Sequence, residues 1–242
     1  AGFFVPFDLE GGGAMSFAQE LRTAADPVFR AILSHPFVQG IAEGALRPQQ
    51  LIHYVGQDFQ FLTAAVKIFG VALSKCHERE DMALFNDRIS FILNSESHPH
   101  HNFCRVAGVR YEDLQNAHWA PTTSLYIGHL FTVAHQGTVG ELIAAFLPCP
   151  WTYFEIGKTL MDRVNPGPDH PFYEWITFYG AAGRQERLPG YLQQLERWAQ
   201  RANHEERERM RRHFLVACQL EYMFWDMAYR LEGWPIHGVL EA

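Results

Sequence analysis

Pro48-Gln49-Gln50-Leu51-Ile52-His53-Tyr54-Val55-Gly56-Gln57-Asp58-Phe59-Gln60-Phe61-Leu62-Thr63-Ala64-Ala65-Val66-Lys67-Ile68-Phe69 is the stretch that decides the fold. Stepping by four and then three residues from Leu51 gives Val55, Asp58, Leu62, Ala65 and Phe69. That spacing is one face of an α-helix, which turns once every 3.6 residues. Pro48 stands where the first helical turn tolerates a missing N–H, so the spacing predicts a helix over 48–76. Its buried stripe is apolar except at Asp58. A carboxylate at a core position is costly unless it is paired or hydrogen-bonded, so Asp58 needs a reason to be there.

Working outward, almost every periodic segment has the same spacing, and no alternating strand pattern stands out. Helices are expected near 16–34, 36–43, 48–76, 80–107, 122–136, 138–164, 170–182, 188–202 and 204–232, with Pro99 kinking the fourth and Gly233 ending the last. The expected fold class is all-α, a bundle of long helices with short connections. Two further stripes repeat the pattern of the first. Residues 204–232 present Phe214, Cys218, Glu221, Trp225 and Ala228, and 138–164 present Phe146, Cys149, Tyr153, Ile156 and Leu160. Three helices therefore each turn one reactive group inward: Asp58, Cys149 and Glu221. Taken singly, an inward Asp is a structural hydrogen-bonding residue and an inward Cys is packing. Three together point to a shared site.

Cys149 lies in Leu147-Pro148-Cys149-Pro150-Trp151, and two prolines loosen the helix around the thiol. A loosened helix leaves the sulfur at a cavity wall, where its thiolate is a nucleophile. Tyr126, Tyr153, Tyr179, Phe61 and Trp151 are core aromatics or the walls of a pocket for a flat ring. Cys76, Cys104 and Cys218 read as packing. Glu96 and His100, four residues apart, have metal-ligand spacing; the alternative is a polar surface around Pro99.

The chain has 242 residues, 48% of them apolar and 14% aromatic, and a net charge of −7. The length suits one large domain over 15–242, preceded by 1–14, which reads as an expression leader. The negative charge disfavours nucleic acid as partner, since phosphate binding needs a basic surface. No run has the length of a membrane span. Four cysteines without C-x-x-C spacing form no zinc signature and suit reduced thiols in the cytoplasm.

With these residues in place, the chain resembles the TenA family (thiaminase II, aminopyrimidine aminohydrolase) of the haem-oxygenase-like helical fold. The resemblance spans Ser16 to Trp234. It rests on His35-Pro36-Phe37-Val38-Gln39-Gly40, Tyr54-Val55-Gly56-Gln57-Asp58, Leu147-Pro148-Cys149-Pro150-Trp151, His170-Pro171-Phe172-Tyr173 and Glu221-Tyr222-Met223-Phe224-Trp225-Asp226-Met227-Ala228-Tyr229, in this order. It implies a hydrolase of thiamin salvage with a pyrimidine substrate bound inside each subunit, a homotetramer, and no metal or cofactor. It further implies that Cys149 is the nucleophile, Glu221 the acid/base, Asp58 the carboxylate holding the aminopyrimidine, and Tyr126 and Tyr179 pocket tyrosines. Phe61 stands where a relative has tyrosine, and Pro150 where a bulkier residue is expected. Two other readings remain open. One is a di-metal oxygenase using Glu96, Glu141, Glu221 and Asp226, although Arg230 stands where a histidine would follow Asp226. The other is a non-enzymatic regulator, for which no helix-turn-helix or basic recognition face is visible.

Overall fold

The computed structural model describes residues 15–95, 97–181 and 187–236. The leader read at 1–14 and Glu96 lie outside the described residues. Among those described, regular structure is helical throughout: α1 Phe17–Leu33, α2 Pro36–Glu43, α3 Pro48–Lys75, α4 Arg79–Asn94, α5 Ser97–Ala107, α6 Pro121–Gln136, α7 Val139–Phe146, α8 Pro148–Val164, α9 Tyr173–Gly180, α10 Arg187–Arg201 and α11 His204–Arg230. A single 3₁₀ turn, Tyr111–Leu114, links α5 to α6.

Local chemistry fixes the ends. Ser16 accepts from the Gln19 N–H while the Gln19 side chain accepts from the Ser16 N–H, a reciprocal cap that starts α1. Thr138 and Asn203 cap α7 and α11 in the same position. Proline opens α2, α3, α6 and α8, where the first N–H has no acceptor within the helix.

Two segments expected as single helices are each two. The 80–107 segment divides at Ser95, and Pro99 falls in the first turn of α5 instead of kinking a longer helix. In that turn the missing N–H costs nothing. The 138–164 segment divides at Leu147, which keeps helical angles (φ −59°, ψ −34°). Pro148 and Pro150 offer no N–H to the carbonyls of Ala144 and Phe146, so two rungs are missing while the chain continues its turn. The segment expected from 170 becomes helical only at Tyr173, because the His170 ring accepts the Phe172 N–H and holds a turn there. The last helix ends at Leu231 in the left-handed conformation (φ 57°), two residues before Gly233.

α11 runs through the middle and packs on α1, α3, α6, α7 and α8. Its expected stripe, Phe214, Cys218, Glu221, Trp225 and Ala228, is buried along its whole length. α3 meets α4, α5 and α6 on its other sides, and α9 lies against α8. Gly157 allows that last contact, since a Cβ there would overlap the backbone of Tyr179. No helix among the described residues is long and apolar enough to cross a membrane.

Candidate active site

Asp58, Cys149 and Glu221 come from α3, α8 and α11, and the packing brings them into one region. The cavity there is walled by Asp58 and Leu62 of α3, Arg88 of α4, Cys149, Pro150 and Tyr153 of α8, Tyr179 of α9 and Tyr191 of α10, among others. Glu221, Tyr126 and Phe61 stand one layer behind this wall, all buried.

The Asp58 carboxylate is held from one side. Its Oδ2 accepts from His100 Nε2 at 2.7 Å and from the Tyr54 hydroxyl at 3.4 Å. Tyr153 lies 2.7 Å from the same Tyr54 hydroxyl. A proton order running Tyr153 to Tyr54 to Asp58 satisfies all three oxygens. The Asp58 side chain also forms part of the cavity wall. Two buried donors on one oxygen hold the carboxylate in a fixed orientation, which its 6% exposure alone would not do.

The thiol end is arranged differently. Glu221 accepts from the Tyr126 hydroxyl at 2.6 Å on Oε1 and from the Thr152 hydroxyl at 3.2 Å on Oε2, and the Cys149 thiol is near enough to help hold its charge. Burial pushes the Glu221 carboxyl up to about 7, against the opposing pull of these hydrogen bonds; the nearby Asp58 charge adds to the rise. Burial, reinforced by the Glu221 charge, also drives the Tyr126 hydroxyl well above its ordinary value, so it stays a donor. The loosened start of α8 leaves Cys149 half-buried on the cavity wall. The other thiols are different: burial pushes Cys76 and Cys104 up to about 11 and Cys218 higher still. Those three are protonated packing groups.

Phe61 packs its ring 4.8 Å from Tyr126 and supports it from behind. The Tyr179 ring centre lies 4.9 Å from that of Tyr153 with the planes tilted by 57°, and both rings line the cavity. Trp151 packs on Phe29 and Phe214, away from the cavity wall.

Several groups of the site have roles that the sequence does not show. Neither reading of His100, metal ligand with Glu96 or polar surface, describes its place. It is 1% exposed and belongs to Asp58, while His98 and His101 on either side of Pro99 and His100 are exposed. Thr152 and Tyr54 each bond a central carboxylate. Arg88 stands between Phe85 and Ile92 on the inward face of α4, where the same spacing rule finds it as a buried charge.

The carboxylates of the di-metal reading are engaged separately. Glu141 pairs with Arg209 at 2.7 Å and His213 at 3.7 Å, and Asp226 pairs with Arg230 at 3.1 Å and His35 at 3.6 Å. Among the described residues no three His, Cys, Asp or Glu side chains gather as a ligand set.

Comparison with known proteins identifies the fold and the family. The aminopyrimidine aminohydrolase of Halalkalibacterium halodurans is 35% identical over 226 residues, covering 93% of this chain and all of that protein. A TenA family transcription regulator from Silicibacter sp. TM1040 superposes with a TM-score of 0.79 at 25% identity, covering 88% of this chain and 96% of that one. A domain from Shewanella denitrificans with a heme oxygenase-like fold superposes with a TM-score of 0.62 at 11% identity, over 90% of this chain and 94% of that one. The bundle thus has the heme oxygenase-like fold. The model of the TENA/THI-4/PQQC family matches residues 22–231, and the chain belongs to that family.

Proposed function

We propose that the protein is an aminopyrimidine aminohydrolase of thiamin salvage, a hydrolase that cleaves the C–N bond at the methylene carried by an aminopyrimidine ring. The observation that carries this reading is that the Cys149 thiol shares a cavity wall with an Asp58 carboxylate oriented by His100, while the buried Glu221 carboxyl stands close behind the thiol. The similarity to proteins named aminopyrimidine aminohydrolase supports it.

Each group has a task that follows from its position. Asp58 Oδ1 accepts hydrogen bonds from the amidine-like edge of the ring, strengthened by charge in a dry site. Tyr153 and Tyr179 stack on the ring face. The Cys149 thiol passes its proton to Glu221 and adds to the ring. A carboxyl poised at about 7 exchanges protons readily near neutral pH. Glu221 then returns a proton to a ring nitrogen, and the C–N pair departs with the leaving group, as ammonia from a protonated amine or as neutral thiazole from thiamin. Water adds to the methylene and gives its proton to Glu221, the C–S bond breaks to expel the thiolate, which is reprotonated, and the hydroxymethylpyrimidine is released. Tyr126 and Thr152 hold the carboxylate throughout. No metal or cofactor is assigned to this chemistry.

The protein works as a homotetramer in the cytoplasm and does not bind nucleic acid. Exposed Leu93, Trp119, Leu125 and Trp234 supply apolar surface for subunit contacts, and the net charge of −7 opposes phosphate backbones. Light scattering at working concentration reads the assembly; a monomer contradicts it. The activity is tested by following thiamin and 4-amino-5-aminomethyl-2-methylpyrimidine with one preparation. Release of hydroxymethylpyrimidine from either supports the reading, and turnover of neither refutes it.

A further inference from the structure

The cavity wall carries a second charge that the chemistry above leaves unused. Arg88 on α4 is 5% exposed, and only its Nη2 is paired, donating to Gln194 Oε1 at 3.1 Å. Its Nε and Nη1 have no hydrogen-bond partner among the described residues, and neither has Gln194 Nε2. The guanidinium lies 4.4 Å from the Tyr191 ring centre and 5.6 Å from that of Phe69, two rings of the cavity wall. No described carboxylate forms an ion pair with it. A buried cation with free donors is costly, and an anion seated against it would offset that cost.

The helices say where this charge stands relative to the thiol. Asp58 and Phe69 are on one stripe of α3, eleven residues and so about 16 Å apart along its axis. The α7–α8 segment runs antiparallel to α3. Phe146 packs 4.4 Å from Phe69, while the Tyr153 hydroxyl meets that of Tyr54, one turn before Asp58. Cys149 lies between Phe146 and Tyr153 in sequence. The thiol therefore falls between the Asp58 end and the Arg88 end. The α3 positions that mark the two ends are thus further apart along the axis than one aminopyrimidine ring is long.

We infer that Arg88 and Gln194 form a subsite for an anion, a phosphate monoester or a carboxylate, carried on the leaving group of the substrate. This deepens the activity proposed above and rests on it. With the ring held at Asp58 and the methylene at Cys149, the departing part extends toward Arg88. A guanidinium fork with open Nε and Nη1 hydrogens matches two oxygens of such a group. The preferred substrate class is then an aminopyrimidine whose amine or thiazolium bears an acidic arm.

Four substrates separate the possibilities: aminomethylpyrimidine, its N-carboxymethyl derivative, thiamin, and thiamin phosphorylated on its hydroxyethyl arm. For the wild-type protein, kcat/KM for an anionic member should exceed that of its neutral counterpart by about 10- to 100-fold, the worth of a hydrogen bond to a charged group. Whichever anion shows the preference identifies the source. Arg88→Met should bring that ratio close to one, and Arg88→Lys should keep part of it. Calorimetry with the phosphorylated thiazole alone, which has no bond to cleave, reads the subsite even if none of the four substrates is hydrolysed. Binding to wild type and its loss in Arg88→Met support the subsite. The inference is overturned if wild type neither prefers the anions nor binds the thiazole phosphate. It is also overturned if Arg88→Met slows all four substrates equally and slows alkylation of Cys149, because Arg88 then serves the thiol. Should Arg88→Met fail to fold, the wild-type ratios and Arg88→Lys decide.

Discussion

Glu221→Gln should make the protein more stable, and by an amount that depends on pH. The carboxyl is 3% exposed, and burial raises it from an ordinary 4.5 to about 7. A group raised on folding stabilises the native state below its unfolded value, and that contribution is lost as pH rises through the folded value. The wild-type protein should therefore weaken between about pH 4.5 and pH 7 through this residue. The gap between 4.5 and about 7, at 1.36 kcal/mol for each pH unit, amounts to about 3 kcal/mol once Glu221 is fully ionised. Glutamine keeps the shape, still accepts from Tyr126, and can donate to the Thr152 oxygen, so it avoids the charge without emptying the site. Urea unfolding of both proteins at one concentration should show little difference at pH 4 and a gain of about 3 kcal/mol for the variant near pH 8.5. Two parallel curves across that range, or a variant weaker at pH 8.5, would refute the assignment of a buried, raised carboxyl. The same variant should lose turnover by a factor of about 10² to 10⁴, together with the limb of the activity–pH profile near 7.

Asp58→Asn should raise KM and lower kcat together, because the ring loses both its charge partner and its alignment; a change in neither would remove Asp58 from substrate binding. His100→Gln acts through Asp58 Oδ2, so it should raise KM more than it lowers kcat; an unchanged KM would show that the 2.7 Å bond does not orient the carboxylate. Gly157→Ala should cost about 1–3 kcal/mol by forcing α9 off α8, and it should raise KM through Tyr179; a neutral result in urea unfolding would contradict the close approach. Cys218→Ser buries a hydroxyl in a fully enclosed position and should cost about 1–3 kcal/mol while turnover persists; abolished turnover in a folded variant would move the reactive thiol to the wrong helix.

The helical reading of the sequence succeeds where a stripe has one side in the core. The expected 48–76 helix is Pro48–Lys75, and the inward faces of α3 and α8 carry Asp58 and Cys149 to one cavity wall, whereas Glu221 of α11, expected to line the same cavity, is buried behind it. Proline was read less well. A proline in a first turn and one that kinks a helix look the same in sequence, and Pro99 proved to be the first kind. His100 escaped because its partner Asp58 is 42 positions away, and only the packing of α5 on α3 joins them. Arg88 was legible by the rule that found Asp58, on a helix where it was not applied. The depth of each residue was not legible. Periodicity gives the inward face, but not that Glu221 and Tyr126 stand behind the wall while Cys149 stands in it.

The central claim is that the Cys149 thiol performs the chemistry with Glu221 at its side. The most direct test is turnover of 4-amino-5-aminomethyl-2-methylpyrimidine by Cys149→Ser, a change of one atom at a half-buried position. The account predicts a variant with wild-type helical content and unfolding midpoint whose turnover falls by at least about 10³-fold, since an unactivated hydroxyl is a far weaker nucleophile than a thiolate. A folded Cys149→Ser protein that hydrolyses this substrate at near wild-type rate would contradict it.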